Sequence, residues 1–154
     1  MRAAVLSLIA AVVAVFAVQS PSWADEDYHQ SCPNDWVTCQ TGVQVAGPPS
    51  SGGDCGTSGA DTGHTVVCVV YDGDYVYVKD GSADGMAAMA RIAYENVDVD
   101  SKNIRFCRNN YGNGSWARCN FDWNEGVTKS VGGGVKQRYA GFILTDRLWT
   151  FSGN

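Results

Sequence analysis

The chain is 154 residues long, with 16 acidic and 11 basic side chains and a formal net charge of −5. That length supports one domain with a modest core. An acidic chain with scattered Lys and Arg lacks the concentrated positive charge that nucleic acid or an anionic membrane demands. Beyond residue 24 the only leucines are Leu144 and Leu148, while Val, aromatics, Gly and Asp are abundant. Val and aromatic rings suit pleated, half-buried surfaces, and Gly and Asp suit turns. The composition points to an all-β protein.

Residues 1–24 read as a secretory signal peptide. Met1-Arg2 precedes a run from Ala3 to Val18 that is apolar apart from Ser7 and is broken by Gln19-Ser20-Pro21, and Ser22-Trp23-Ala24 sets small residues before a cut after Ala24. The competing reading is a transmembrane anchor. The run is short for a span, and Asp25, Glu26 and Asp27 follow it where a basic stop-transfer cluster would stand. The protein is therefore expected to be secreted, with no membrane attachment after cleavage.

Residues 25–42 are expected to be a disulfide-tied N-terminal arm, and 43–154 a single β-rich domain. Turn and breaker signals crowd the chain up to residue 63, with a short strand at Val43–Ala46. Thr65–Tyr71 is a continuous apolar run of strand length, predicted to be a buried central strand. Asp72-Gly73-Asp74 then turns the chain into Tyr75–Lys79, which makes the clearest hairpin. Met86–Tyr94 carries helix-favouring Ala and Met, but it is short and can alternate onto one sheet face, so the strand reading is preferred. Ile104–Arg108 and Ser115–Trp123 follow as a second hairpin. The tail resumes with Val127–Val131, a flexible Gly132-Gly133-Gly134 and an apolar stretch from Tyr139 to Phe151. The expected architecture is a small antiparallel β-sandwich or partly open barrel stapled by disulfides.

Cys32, Cys39, Cys55, Cys68, Cys107 and Cys119 all follow the signal segment, and an even number in an exported chain reads as disulfides. Spacing suggests the local pairs 32–39, 55–68 and 107–119. The last pair brings a conflict with the second hairpin. If Cys107 sits opposite Cys119, Arg108 faces Arg118 and Phe106 faces Asn120, which places like charges together. Either a one-residue bulge at Gly112 or Gly114 realigns the faces, or these cysteines bond elsewhere. Zinc is disfavoured, since no CxxC pair occurs and only His29 and His64 could assist.

Catalytic signatures are missing from the sequence: no GxSxG elbow, HExxH pair or Cys-His constellation occurs. A hydrolase would have to use His64 or carboxylates converging from Asp72, Asp74, Glu95 and Glu125. Asp80 to Gly85 matches the first six positions of a calcium loop, but Arg91 occupies position 12, where a bidentate Glu belongs. The loop is expected to be an ordinary turn without tightly held calcium, and no metal or cofactor is expected elsewhere. Tyr75 and Tyr77 project from one strand face and, with Trp116, form a candidate ligand platform, because flat amphipathic rings suit both sugars and proteins. The competing reading covers them with a second sheet. Asn113-Gly114-Ser115 fits the N-glycosylation pattern.

The stretch from Asp74 to Gly126, with DYVYVKDGSADGMAAMARI and FCRNNYGNGSWARCNFDWNEG, resembles small exported proteins of Gram-positive actinomycetes. The resemblance implies export and a compact β-rich body, and it carries no activity or site residue. The leading functional expectation is a non-catalytic extracellular binding protein, such as an inhibitor, antagonist or surface-associated factor, whose partner is an extracellular protein or polysaccharide. A carbohydrate-binding module using Tyr75, Tyr77 and Trp116 is the alternative, and a small secreted hydrolase is third.

Overall fold

A computed structural model describes residues 32, 35–59, 64–95, 103–137 and 141–153. The signal segment, His29 and most of the chain before Asp35 lie outside the described residues. Those described form ten strands and no helix: β1 (Val37–Thr41), β2 (Val43–Val45), β3 (Gly53–Thr57), β4 (Thr65–Val70), β5 (Tyr75–Asp80), β6 (Ala87–Tyr94), β7 (Ile104–Asn109), β8 (Trp116–Asn120), β9 (Lys129–Gln137) and β10 (Gly141–Phe151). Two five-stranded sheets pack face to face, ordered β1-β7-β6-β9-β10 and β2-β8-β5-β4-β3. Every pairing is antiparallel except β1 with β7.

The sandwich interior follows from strand alternation. Val67, Val69, Val76 and Val78 point inward from β4 and β5 and are fully buried, each worth about 1.5–3 kcal/mol over an exposed position. They meet Ala88, Ala90 and Ile92 of β6, Val131 of β9 and the rings of Phe121, Trp123 and Phe151. The predicted hairpin of Thr65–Tyr71 with Tyr75–Lys79 is β4 and β5, joined by a turn with Gly73 at φ 89° and Asp74 at φ 57°. Met86–Tyr94 contains strand β6 despite its helix-favouring residues. Pairing with β7 on one side and β9 on the other overrides intrinsic propensity.

The second predicted hairpin needs correction. β7 and β8 lie in opposite sheets, so the connection between them is an arch and not a hairpin. The Cys107–Cys119 bond crosses the core, with both cysteines inward and Cα atoms 5.8 Å apart. The apparent clash of Arg108 with Arg118 disappears, because those side chains leave opposite outer faces of the sandwich. Asn109 explains the arch: its Nδ2 donates to the carbonyls of Val78 (3.0 Å) and Ser115 (2.9 Å), and its Oδ1 accepts from the Tyr111 amide at 3.0 Å. One buried amide thus ties the chain leaving β7 to the opposite sheet.

Gly132-Gly133-Gly134 is also corrected, from a flexible segment to the buried middle of β9, paired with Arg91, Ala90 and Met89. A Cβ on Gly133 would lie 3.1 Å from Ser58 Cβ and 3.3 Å from Val67 Cγ2, so close packing explains the glycine there. Two strands were not anticipated in the turn-rich first part, β1 and β3. The expected strand at Val43–Ala46 is β2. Between β1 and β2, Gly42 carries the chain from one sheet to the other, and its Cβ would stand 2.9 Å from Ala117 Cβ. The Gln40 side chain reinforces that closed side, donating to the Asn120 carbonyl at 2.7 Å and accepting its amide at 3.2 Å.

All six cysteines are paired, as 32–39, 55–68 and 107–119. Cys55 and Cys68 are directly opposite in the β3–β4 ladder. Cys39 packs beside Val37, Met89 and Phe106, a small cluster on the outer face of the first sheet. No helix among the described residues is long and apolar enough to cross a membrane.

Candidate functional site

The outer face of the second sheet gathers Tyr75, Tyr77 and Trp116. Tyr75, Tyr77 and Lys79 alternate with the buried valines of β5, and on β8 Trp116, Arg118 and Asn120 alternate with inward Ala117 and Cys119. Register sets Lys79 opposite Trp116, Tyr77 opposite Arg118, and Tyr75 opposite Asn120. The result is an interleaved ladder of rings and cations. The Arg118 guanidinium carbon lies 4.8 Å from the Tyr75 ring centroid, and Lys79 Nζ lies 5.9 Å from that of Trp116, both within cation–π range.

Neither sheet of the described residues covers this face, yet Tyr77 is only 7% exposed. It sits between Cys68 and Arg118 and forms the floor of the ladder. Tyr75 and Trp116 are half-buried, each with a cation over its ring. Sequence reasoning missed Lys79 and Arg118. The period-two reading of Tyr75–Lys79 already placed Lys79 with the tyrosines, but only the β5–β8 register brings Arg118 to them.

Of the residues considered for catalysis, Asp74 and Glu125 lie close enough to act on each other electrostatically, whereas His64 stands beside Gly81 and Ser82 at the other end of β5. His64 is exposed ahead of β4, where its amide donates to Ser82 Oγ at 2.9 Å. Glu95 pairs with Arg147 at 3.3 Å, and Asp72 is exposed on its turn. Asp74, on the same turn as Asp72, accepts the Trp123 amide at 3.2 Å. Burial raises the Asp74 carboxyl, and nearby Glu125 and Asp122 raise it further. Beside it Lys129 is fully buried, its ammonium donating to the Val127 carbonyl at 3.0 Å and lying 5.2 Å from the Phe151 ring centre. Desolvation lowers its pKa. Arg105 is inward at the same end, donating to Tyr94 Oη and the Asp122 carbonyl, and it borders a cleft of about 420 Å³ with Gln40 and Phe121.

The opposite end of the sandwich carries the Asp80–Gly85 loop. It links β5 to β6 across the two sheets, with Asp80 Oδ1 accepting the Ser82 amide and Asp84 Oδ1 accepting the Met86 amide. No group of three or more His, Cys, Asp or Glu gathers to hold a metal among the described residues. Asn113 is exposed in the arch, and the Ser115 hydroxyl of its tripeptide is bonded to Asn109 Oδ1 and to the Gly112 carbonyl.

No protein-family model, curated protein or solved structure matches the chain. What the fold defines is a class: a small, disulfide-rich β-sandwich, of a kind that suits an oxidising, extracellular setting.

Proposed function

We propose that this is a secreted, non-catalytic binding protein that engages an acidic surface of an extracellular protein with the outer face of its second sheet. The observation that carries the reading is the ladder of Tyr75, Tyr77, Trp116, Lys79 and Arg118. Trp, Tyr and Arg dominate the energetics of protein interfaces, and here they stand on adjacent strands of a disulfide-held frame. A rigid frame lowers the ordering cost of binding. Two cations on one face of an acidic chain favour a partner of opposite sign. The sugar-stacking alternative is weaker, because a saccharide needs bare ring faces and those of Tyr75 and Trp116 already carry cations.

The test is capture of extracellular proteins, and separately of insoluble polysaccharides, by the disulfide-intact protein and its Arg118→Glu and Trp116→Ala variants. A protein partner held by the wild type and lost with both variants, in a salt-dependent manner, supports the proposal. Capture that both variants retain overturns it. Binding to polysaccharide alone, lost with Trp116→Ala, would replace it with the carbohydrate reading.

A further inference from the structure

The cleft at the opposite end of β5 from Asp74 has a different chemistry. It has a volume of about 360 Å³ and lies between the 81–86 loop and the β7–β8 arch, with Asp80, Ser82, Met86, Ala87, Asn110 and Asn113 in its wall. Alternation along β5 points Asp80 inward with Val76 and Val78, at the end of the core, and the residue is only 4% exposed. Its Oδ1 accepts the Ser82 amide at 3.0 Å, and Oδ2 has no partner among the described residues. Burial raises the Asp80 carboxyl's pKa, and the nearby Asp84 carboxylate raises it further. The inward cations Arg105 and Lys129 are at the far end of the sandwich, about five strand residues or some 17 Å away. A buried carboxylate with no counter-ion among the described residues is costly.

We propose that this cleft binds a primary alkylammonium group, with Asp80 as its counter-ion. Three features select that class over other cations. Met86 and Ala87 supply an apolar wall for a methylene stem, which long amines bury while their charged head finds an acceptor. Asn113 stands in the cleft wall with a neutral amide that can accept, and an ammonium donates three hydrogen bonds. Calcium would require six to eight oxygens, and Asp84 Oδ1 is committed to the Met86 amide. Asp80 is then a charge retained for binding at the expense of stability, a recognised mark of functional sites.

Two sources share this chemistry, a free amine and the lysine side chain of a partner protein, and the test separates them. The full protein is titrated with n-butylammonium, with Nα-acetyl-lysine amide, with n-butanol and with calcium chloride, while the Ser82 and Gly114 amide signals are followed by NMR. Saturable shifts with either amine and none with butanol are expected. In Asp80→Asn those shifts should weaken by about tenfold or more. That variant keeps an acceptor for the Ser82 amide and should melt no lower than wild type, so loss of binding cannot be attributed to unfolding. Tighter binding of acetyl-lysine amide than of butylammonium assigns the cleft to a partner's lysine, and the reverse order to a free amine. Absence of amine shifts, equal shifts in Asp80→Asn, or a response to calcium alone overturns the proposal. None of these outcomes depends on the ring-and-cation face of the second sheet.

Discussion

Asn109 and Ser115 hold the two ends of the β7–β8 arch by a reciprocal pair of hydrogen bonds. The Asn109 Nδ2 donates to the Ser115 carbonyl at 2.9 Å, and Ser115 Oγ donates back to Asn109 Oδ1 at 3.1 Å. Asn109 is fully buried and also donates to the Val78 carbonyl. Its amide is therefore both the brace of the arch and its bond to the second sheet.

Asn109→Asp keeps the acceptor for Tyr111 but turns a donor into an oxygen facing two carbonyls. Unsatisfied buried acceptors and a buried charge should cost at least about 2 kcal/mol at neutral pH. Urea unfolding measures the loss, and an unchanged midpoint would contradict the role assigned to this residue.

The Cys107–Cys119 and Cys55–Cys68 bonds close loops of nearly equal length, with sequence separations of 12 and 13. Chain entropy alone predicts about 3 kcal/mol for each. Cys107 and Cys119 are 1% and 2% exposed and face the space between the sheets, whereas Cys55 is exposed and Cys68, though 2% exposed, lies beside Tyr77 on the outer face, so only the first pair leaves a cavity between the sheets when truncated. The double variant Cys107→Ala/Cys119→Ala should lose clearly more stability than Cys55→Ala/Cys68→Ala. Equal losses in denaturant titrations would show that the inter-sheet bond adds nothing beyond loop closure.

Gly133 is held against Ser58 and Val67. Gly133→Val would overpack that contact and lower stability by about 1–3 kcal/mol, with Gly133→Ala intermediate. A thermal melt in which Gly133→Val matches wild type would mean that β9 is looser than the packing implies.

Tyr71 donates to Asp54 at 2.6 Å. Burial and this carboxylate push its pKa from 10.0 up to about 12. A phenol with a raised folded-state pKa contributes stability that is complete below the unfolded value and lost as pH climbs through the folded one. Wild type should therefore lose its advantage over Tyr71→Phe between roughly pH 10 and 12. Ultraviolet titration should show one late tyrosine that the variant lacks, and a constant stability difference across that range would contradict the assignment.

Much of the second sheet was legible in the sequence because its signals are local. The apolar run of β4, the Asp-Gly turn and the alternation of β5 specify a hairpin without reference to the rest of the chain. The alternation also put Tyr75 and Tyr77 on one face. Spacing suggested the three cysteine pairs, since all are close in sequence, but the hairpin conflict left Cys107–Cys119 open until the structure showed the bond. β6 was readable only as a balance, because Ala and Met favour helix in isolation and the decision rests on its two neighbours.

Other features were decided by the tertiary structure. Cys107 and Cys119 looked like hairpin partners because sequence distance does not reveal which sheet a strand joins. Asn109, by bonding across the core, sends β8 to the opposite sheet. Three consecutive glycines read as flexible, since glycine lacks a side chain to pack, until Ser58 and Val67 occupied the space a Cβ would need. Trp116 and Arg118 met Lys79 and Tyr75 only through inter-strand register, and Asp80 met its cleft only through the closure of two loops. The sequence by itself determined the β class and the faces of individual strands and suggested the disulfide pairs, because these depend on periodicity and near neighbours. Sheet membership and the composition of both candidate sites depend on contacts between segments distant in the chain, which no local pattern encodes.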